Sequence, residues 1–203
     1  PTLKRSHDGG LLRWQQDHAR TDVFLTWDVR RQDGWLASRR LDGHRLVGAY
    51  HTRALARGHT LDLYLLGVDR PGQAYFLAPD APAPTAGQET RWSLGTRWQL
   101  RHRRLTHDTE LTWQTGRYRP AGGRELDIAA WAVGTRTRLR WPSARAPELG
   151  LDLGWTSGDG DPADAELGTF RAPAPGAAFL GGGHLLGYGN LGLAHVLGAM
   201  DLA

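Results

Sequence analysis

The sequence contains no cysteine, one methionine and a single lysine among its 203 residues. The lack of cysteine excludes a disulfide framework, a thiolate zinc site and a cysteine nucleophile. No apolar run of about 18 residues occurs and the mean hydropathy is −0.49, so the sequence predicts no transmembrane helix. A transmembrane β-barrel is compatible with this composition, because half of its strand positions face a polar interior.

Targeting signals are also lacking, and the charge is weighted toward arginine. The chain opens at Pro1 with neither an initiator methionine nor an apolar leader, from which we expect a mature form or a fragment. The net charge is +4 and the isoelectric point is about 9.9. A positive balance favours an anionic partner, but an excess of arginine over lysine is also expected from a genome rich in Arg, Ala, Gly and Pro codons. The positions of the arginines along each strand are therefore more informative than the total charge.

Alternation of apolar and polar residues runs through most of the chain and predicts half-buried strands. Over residues 90–101 one face carries Trp92, Leu94, Thr96, Trp98 and Leu100, and the other carries Arg91, Ser93, Gly95, Arg97, Gln99 and Arg101. Nine strands are predicted, at 10–16, 20–30, 43–54, 59–68, 90–103, 106–118, 125–141, 148–157 and 188–198. The predicted fold class is therefore all-β.

The connections between these strands alternate in length. Short ones fall at 17–19, 55–58, 104–105 and 142–147, and longer ones at 31–42, 69–89, 119–124 and 158–187. In an antiparallel up-and-down meander alternate turns lie at opposite ends, so we expect a short-turn end and a long-loop end. Outer-membrane barrels show this asymmetry, and most predicted strands reach the ~9–11 residues that a tilted strand needs to cross a bilayer.

Alternating strands also build soluble proteins, so a carbohydrate-binding β-sandwich is the alternative prediction. Two features favour the membrane barrel. The polar faces combine arginine with aspartate, glycine, serine and glutamine, and contain little lysine or glutamate. Tryptophans recur toward the ends of the apolar faces, where an interfacial aromatic girdle would place them: Trp92, Trp98, Trp113, Trp131, Trp141 and Trp155.

The long connection after the eighth strand carries a distinctive motif. Its residues are Ser157-Gly158-Asp159, Asp161-Pro162, Asp164 and Leu167-Gly168-Thr169-Phe170, before a proline- and glycine-rich stretch and Asn190-Leu191. In this motif the chain resembles the alginate-export family of outer-membrane β-barrels. Residues 22–24, 47–50, 61–67 and 127–133 are similar to the same family.

The resemblance implies an antiparallel up-and-down transmembrane β-barrel of about eighteen strands in the outer membrane of a Gram-negative bacterium. It implies a channel for polysaccharide or other anionic solutes, monomeric when full length, surrounded by outer-membrane lipid and supplied by a periplasmic partner. No cofactor is implied. Because nine is an odd strand number and residues 200–203 lack a terminal aromatic strand, we expect residues 1–203 to be a barrel segment that is incomplete at both ends.

Strand parity assigns the charged residues to the channel interior. If the tryptophan face contacts lipid, the predicted lumen residues are Arg91, Arg97, Arg101, Arg103, Arg136, Arg138, Arg140, Asp62, Asp108, Glu110 and Asp152. With a two-residue turn at 104–105, Arg101 is predicted to oppose Asp108, and Gln99 to oppose Glu110. Each cation is worth about 1 kcal/mol to a carboxylate at 4 Å in water, so a series of them would admit and release an anion. An alternative role for the same charges is to hydrate and brace the wall.

The connection at 158–187 is predicted to be an extracellular loop or a loop folded into the pore, which it would narrow. Its Asp159, Asp161 and Asp164 supply oxygen ligands that suit calcium, but their spacing does not match an EF-hand. Turn formation by aspartate, glycine and proline explains the same residues. We therefore predict no metal site.

Motifs for catalysis and for nucleic-acid binding are also lacking. Ser157 lies one position off the nucleophile-elbow spacing, and the nine histidines form no His-Glu-x-x-His arrangement. The tryptophans lie on the face opposite the arginines, where they could not stack bases held by those cations. The sequence therefore predicts neither an enzyme nor a nucleic-acid-binding protein.

Overall fold

An antiparallel β-sheet dominates the computed structural model of the chain, which describes residues 6–30, 39–77, 82–142, 147–161, 164–173 and 193–199. Within these residues the strands are β1 (Ser6–Gln16), β2 (Ala19–Arg30), β3 (Arg39–Ala56), β4 (His59–Tyr75), β5 (Thr85–His102), β6 (Leu105–Pro120), β7 (Leu126–Arg140), β8 (Glu148–Thr156), β9 (Glu166–Leu167) and β10 (Leu193–Ala199). Strands β1 to β8 pair in sequence order and β10 follows β8, while the short β9 pairs in parallel with β7.

The all-β up-and-down meander predicted from the sequence is confirmed. Each of the nine predicted strands has a counterpart, although residues 188–192 of the last one lie outside the described part. The sheet is open, because β1 and β10 are its edge strands within the described residues. No helix long and apolar enough to cross a membrane is present among those residues either.

The strands extend further toward the long-loop end than predicted. β4 continues to Tyr75 and β5 begins at Thr85, so the connection predicted at 69–89 shortens to residues 76–84. The alternation breaks at Pro71 and Gly72, where the register shifts between Arg70 and Gln73 and Gly72 has a φ of +71°. A bulge with a left-handed glycine lets the ladder resume beyond the proline.

The β5–β6 hairpin turns one residue earlier than predicted. Its two-residue turn consists of Arg103 and Arg104, and Arg103 adopts the left-handed backbone conformation with a φ of +47°. The predicted placement of Arg103 on the lumen-facing strand is therefore wrong, because the residue lies in the turn.

The earlier turn changes the pairing between β5 and β6. The predicted pairs, Arg101 with Asp108 and Gln99 with Glu110, are wrong. The observed pairs are Arg97 with Glu110, Gln99 with Asp108, and Arg101 with Thr106. Since the register differs by two residues, each side chain keeps its predicted face.

The two faces of the sheet have opposite polarity, and burial does not follow the pattern of a soluble protein. One face, called the apolar face below, exposes large side chains: Leu63, Leu65, Trp92, Leu94, Trp98, Leu111, Trp113, Trp131, Leu151 and Trp155. The other, the polar face, buries Asp62, Glu89, Arg91, Ser93, Thr112, Gln114 and Asp152. Along β5, Leu94 is 62% exposed and the adjacent Ser93 only 1%.

A small hydrophobic cluster lies on the polar side at the long-loop end. It contains Tyr75, Tyr118, Leu126, Ile128 and Leu167. Leu167 belongs to β9, which pairs with the first residues of β7 beyond the point where β8 stops. The segment after β8 is therefore packed against the wall by apolar contacts and by ladder hydrogen bonds.

Candidate functional site

Arginine–aspartate pairs cross between strands on the polar face. Arg97 donates two hydrogen bonds to Asp108, one of them from Nε at 2.7 Å. At the β1–β2 hairpin Arg13 donates to both oxygens of Asp22, at 2.7 and 3.1 Å. Bidentate pairs of this kind fix the direction of the guanidinium as well as balancing its charge.

Asp152 is the acceptor for two arginines of the neighbouring strand. The carboxylate is 2% exposed and accepts from Arg138 at 2.5 and 2.9 Å and from Arg136 at 3.3 Å. Gly150 makes room for this contact, because a Cβ there would lie 2.8 Å from Nη1 of Arg138. Three predicted lumen residues thus form one cluster on β7 and β8.

Two stacked tyrosines lie over the same face on β3 and β4. The rings of Tyr50 and Tyr64 are 5.6 Å apart and nearly parallel. Tyr50 donates to Asp62 at 2.8 Å, and Tyr64 donates to Glu110 at 2.5 Å. Tyr64 reaches Glu110 by crossing Gly95, where a Cβ would overlap the ring. Asp62 and Glu110 are therefore hydrogen-bonded to tyrosine, contacts that strand parity alone does not predict.

The remaining predicted lumen residues lie at the two ends of the wall. Arg101 and Arg140 are exposed at the short-turn end. Arg91 lies near the long-loop end and is 1% exposed, because the segment after β8 covers it. Arg91 is on the predicted face but is not open to a solute.

The loop motif folds back onto the first half of β7. The Ser157 backbone N donates to the Trp131 carbonyl at 2.9 Å, and its Oγ accepts from the Trp131 amide at 2.8 Å. The Phe170 amide donates to the Ser157 carbonyl at 3.1 Å. A Cβ on Gly168 would lie 2.6 Å from the Gly158 carbonyl oxygen, so the loop closes on itself through two glycines.

Side chains of the wall then hold the segment across the polar face. Gln114 is fully buried, donates to the Arg171 carbonyl at 2.7 Å and accepts from the Arg171 amide at 3.1 Å. Arg91 donates to the Thr169 carbonyl at 3.0 Å, and Arg70 donates to the Pro173 carbonyl. We call residues 164–173 the docked segment. No sequence pattern marks Gln114 or Arg70 as loop-binding residues, because their loop partners are backbone atoms.

The acidic residues of the motif cluster near the start of this segment. Burial raises the pKa of Asp159, and the neighbouring charges of Asp161, Asp164 and Glu166 raise it further. Asp164 accepts from the Glu166 amide at 2.7 Å, which is a local turn contact. No group of three or more acids or histidines is arranged to hold a metal ion in the described ranges.

Tryptophans mark both ends of the apolar face. Trp92, Trp131 and Trp155 lie toward the long-loop end, whereas Trp14, Trp98 and Trp141 lie toward the short turns. All six are 37–70% exposed. Two such belts of exposed indoles are typical of proteins whose apolar band meets lipid between two interfaces.

Comparison with known families agrees with this geometry. The family model described as alginate export matches residues 1–203, the whole chain. The chain belongs to the alginate export family. Members of this family are β-barrel transport proteins of the Gram-negative outer membrane. Searches of curated proteins and of solved structures returned no match.

Membership explains the unusual polarity of the sheet. An alginate export barrel needs an apolar outer surface and a polar interior, which is how the two faces of this sheet divide. The outer-membrane and polysaccharide-export character predicted from the loop motif is thus supported at the level of the family.

Proposed function

We propose that this chain forms part of an outer-membrane channel that passes anionic solutes, above all anionic polysaccharide, along its polar face. The observation that carries the proposal is the reversed polarity of the sheet: Trp113 is 54% exposed whereas the adjacent Gln114 is fully buried. Apolar surface of this extent is stable only against lipid or another protein, and the paired tryptophan belts favour lipid.

The wall chemistry suits the passage of a polyanion. Guanidiniums at Arg97, Arg136 and Arg138 line the proposed route, and each is held by an aspartate. A paired cation attracts a passing carboxylate less strongly than a free one, so the solute is not trapped. The half-buried Tyr50, stacked on the buried Tyr64, adds one aromatic ring of the kind that sugars contact.

The docked segment narrows the route from the long-loop end. It lies on the polar face, where Gln114, Arg91 and Arg70 bind its backbone. In an outer-membrane barrel the long loops are extracellular, so the narrowing would lie on that side of the membrane. Deletion of residues 160–180 should therefore raise single-channel conductance.

The test uses the full-length gene product in a planar lipid bilayer. We expect heat-modifiable migration on a gel, discrete channel currents, and a current block that saturates as polyuronate is added. A neutral polymer of the same length is the control and should block less. Solubility without detergent, or currents that respond equally to both polymers, would contradict the proposal.

A further inference from the structure

Neighbouring hairpins are tied together at the short-turn end of the sheet. One backbone hydrogen bond joins each of three turns to the strand that follows its hairpin. These bonds are Ala54 N to His18 O (2.8 Å), Arg101 N to Gly58 O (2.7 Å) and Arg140 N to Arg104 O (2.9 Å). We call the turns at 17–18, 57–58 and 103–104, together with Arg101 and Arg140, the turn rim. Its backbone is held as one continuous edge.

The turn rim carries more arginine than acid. Four exposed guanidiniums stand there with no ion-pair partner within the described part of the chain: Arg57, Arg101, Arg103 and Arg104. The acids of this end, counted over the same residues, are Asp17 and Glu148, and Glu148 lies 3.7 Å from Arg138. The wall arginines Arg97, Arg136 and Arg138 are instead held by aspartates, Arg138 in the same row as Arg101 and the other two further from the turns.

The polar face just inside the rim is indented. A shallow cavity of about 320 Å³ is lined there by Arg97, Gln99, Arg101, Asp108 and Arg136. Arg97 and Arg136 are held by aspartates, whereas Arg101 is exposed opposite Thr106. An anion arriving at the rim would therefore meet a free guanidinium first and a charge-balanced surface next.

We propose that the turn rim captures a carboxylate-bearing polysaccharide at the short-turn mouth of the channel. The proposal rests on the channel function given above and assigns its loading site. Turns two strands apart are roughly 10 Å apart, so Arg57 and the Arg103–Arg104 pair can bind separate carboxylates of one extended chain. Exposed cations within a Debye length of one another also steer a polyanion toward the opening.

The placement of the cations favours a polymer in the channel over a lipid headgroup beside it. Arg101 lies on the polar face, because along β5 it has the same parity as Arg97 and Gln99. Arg53 differs, because it opposes Leu61 on the apolar face. Since short turns are periplasmic in outer-membrane barrels, the polymer would load from the periplasm, which is the direction of export.

The experiment compares polyuronate capture from the two sides of a bilayer. The full-length gene product is reconstituted in neutral phosphatidylcholine, and polymannuronate is added to one side and then the other while blockade events are counted. For the unsubstituted protein we expect a rate about tenfold higher from one side at low salt. The combined variant R57Q/R101Q/R103Q/R104Q should lose this asymmetry, and Arg53→Gln should keep it.

Each outcome has a distinct meaning. Blockade that is absent from both sides would reject the channel function itself. A combined variant that keeps the tenfold asymmetry, or an asymmetry that appears only with phosphatidylglycerol in the bilayer, would overturn the rim proposal alone. If the combined variant does not fold, raising the ionic strength tests the unsubstituted protein: the asymmetry should collapse with polymannuronate, and persistence would overturn the proposal.

Discussion

Replacing Gln114 by leucine should release the docked segment from the wall. The side-chain amide of Gln114 makes two hydrogen bonds to the backbone of Arg171, donating to its carbonyl and accepting from its N–H. It also donates to Ser93 at 2.9 Å and accepts from Arg91 at 2.6 Å. Leucine has a similar volume but offers none of these hydrogen bonds, so the substitution tests the polar contacts and leaves the packing volume nearly unchanged.

The size of the effect follows from the two bonds to the loop backbone. A net contribution of about 1 kcal/mol for each hydrogen bond gives about 2 kcal/mol for the pair. This corresponds to a change of about 30-fold in the ratio of released to docked segment. The Arg91 and Arg70 contacts to Thr169 and Pro173 remain, so the segment is weakened without losing every anchor.

Trypsin provides the assay, because Arg171 is itself a cleavage site. Trypsin can cleave after Arg171 only when the Arg171 backbone is released from Gln114. The cleavage rate is therefore proportional to the released population when docking is fast relative to cleavage. In the full-length gene product we expect the fragment that ends at Arg171 to form about 30 times faster in Gln114→Leu. Gln99→Leu is the matched control. Gln99 lies on the same face but near the short turns, where it lines the shallow cavity beside the turn rim and is away from the docked segment.

The role of Gln114 would be refuted if Gln114→Leu and the unsubstituted protein were cleaved at equal rates while both gave heat-modifiable migration. A similar acceleration in Gln99→Leu would show a general loosening of the barrel. Only a selective effect at Gln114 supports the docking contacts described above.

Three further predictions concern the sheet and the loop that follows β8. Gly95→Ala should destabilise the protein by about 1–3 kcal/mol in denaturant unfolding, because the added methyl overlaps the Tyr64 ring, whereas Gly10→Ala meets open space and should have little effect. Asp152→Asn removes the negative charge that Arg138 and Arg136 share and should raise the anion-over-cation permeability ratio, measured as a reversal potential, by up to about fivefold, the equivalent of about 1 kcal/mol; an unchanged ratio would contradict the proposed route. The raised pKa of Asp159 means that the docked loop binds a proton more tightly than the released loop, so docking weakens as pH rises through the acidic range. Hydrogen-exchange protection of Phe170 should fall as the pH rises above about 4, the ordinary pKa of an aspartate, and Asp159→Asn should remove that dependence; the same slope in both proteins would refute it.

The strands were predictable because apolar and polar residues alternate along them with a period of two. On β5 the alternation of Trp92, Leu94 and Trp98 with Arg91 and Arg97 assigns both faces before any pairing is known. Even the one-residue error at the β5–β6 turn left those faces unchanged, because it displaced the register by two residues.

The contacts across the wall were less predictable. Arg97 binds Asp108 rather than the residue directly opposite it, and Tyr64 reaches Glu110 over Gly95. Such diagonal contacts depend on which neighbouring side chains are small and on the rotamers of the long side chains. The alternation of apolar and polar residues gives no information about either. The docked segment was hidden for a further reason, since its anchors bind backbone carbonyls that every residue possesses.

Pairing within the wall also bears on how a channel can be selective without holding its solute. If every lumenal arginine were free, a polyanion would bind at many sites together and leave slowly. On the polar face Arg97, Arg136 and Arg138 are held by Asp108 and Asp152, whereas Arg101 and the arginines of the β5–β6 turn have no ion-pair partner among the described residues. In the proposed channel, attraction of an anion would then be strongest at the turn rim and weaker beside the paired arginines. We therefore expect substitutions at the turn rim to alter the selectivity of the proposed channel, and substitutions at Asp108 and Asp152 to alter its rate of passage.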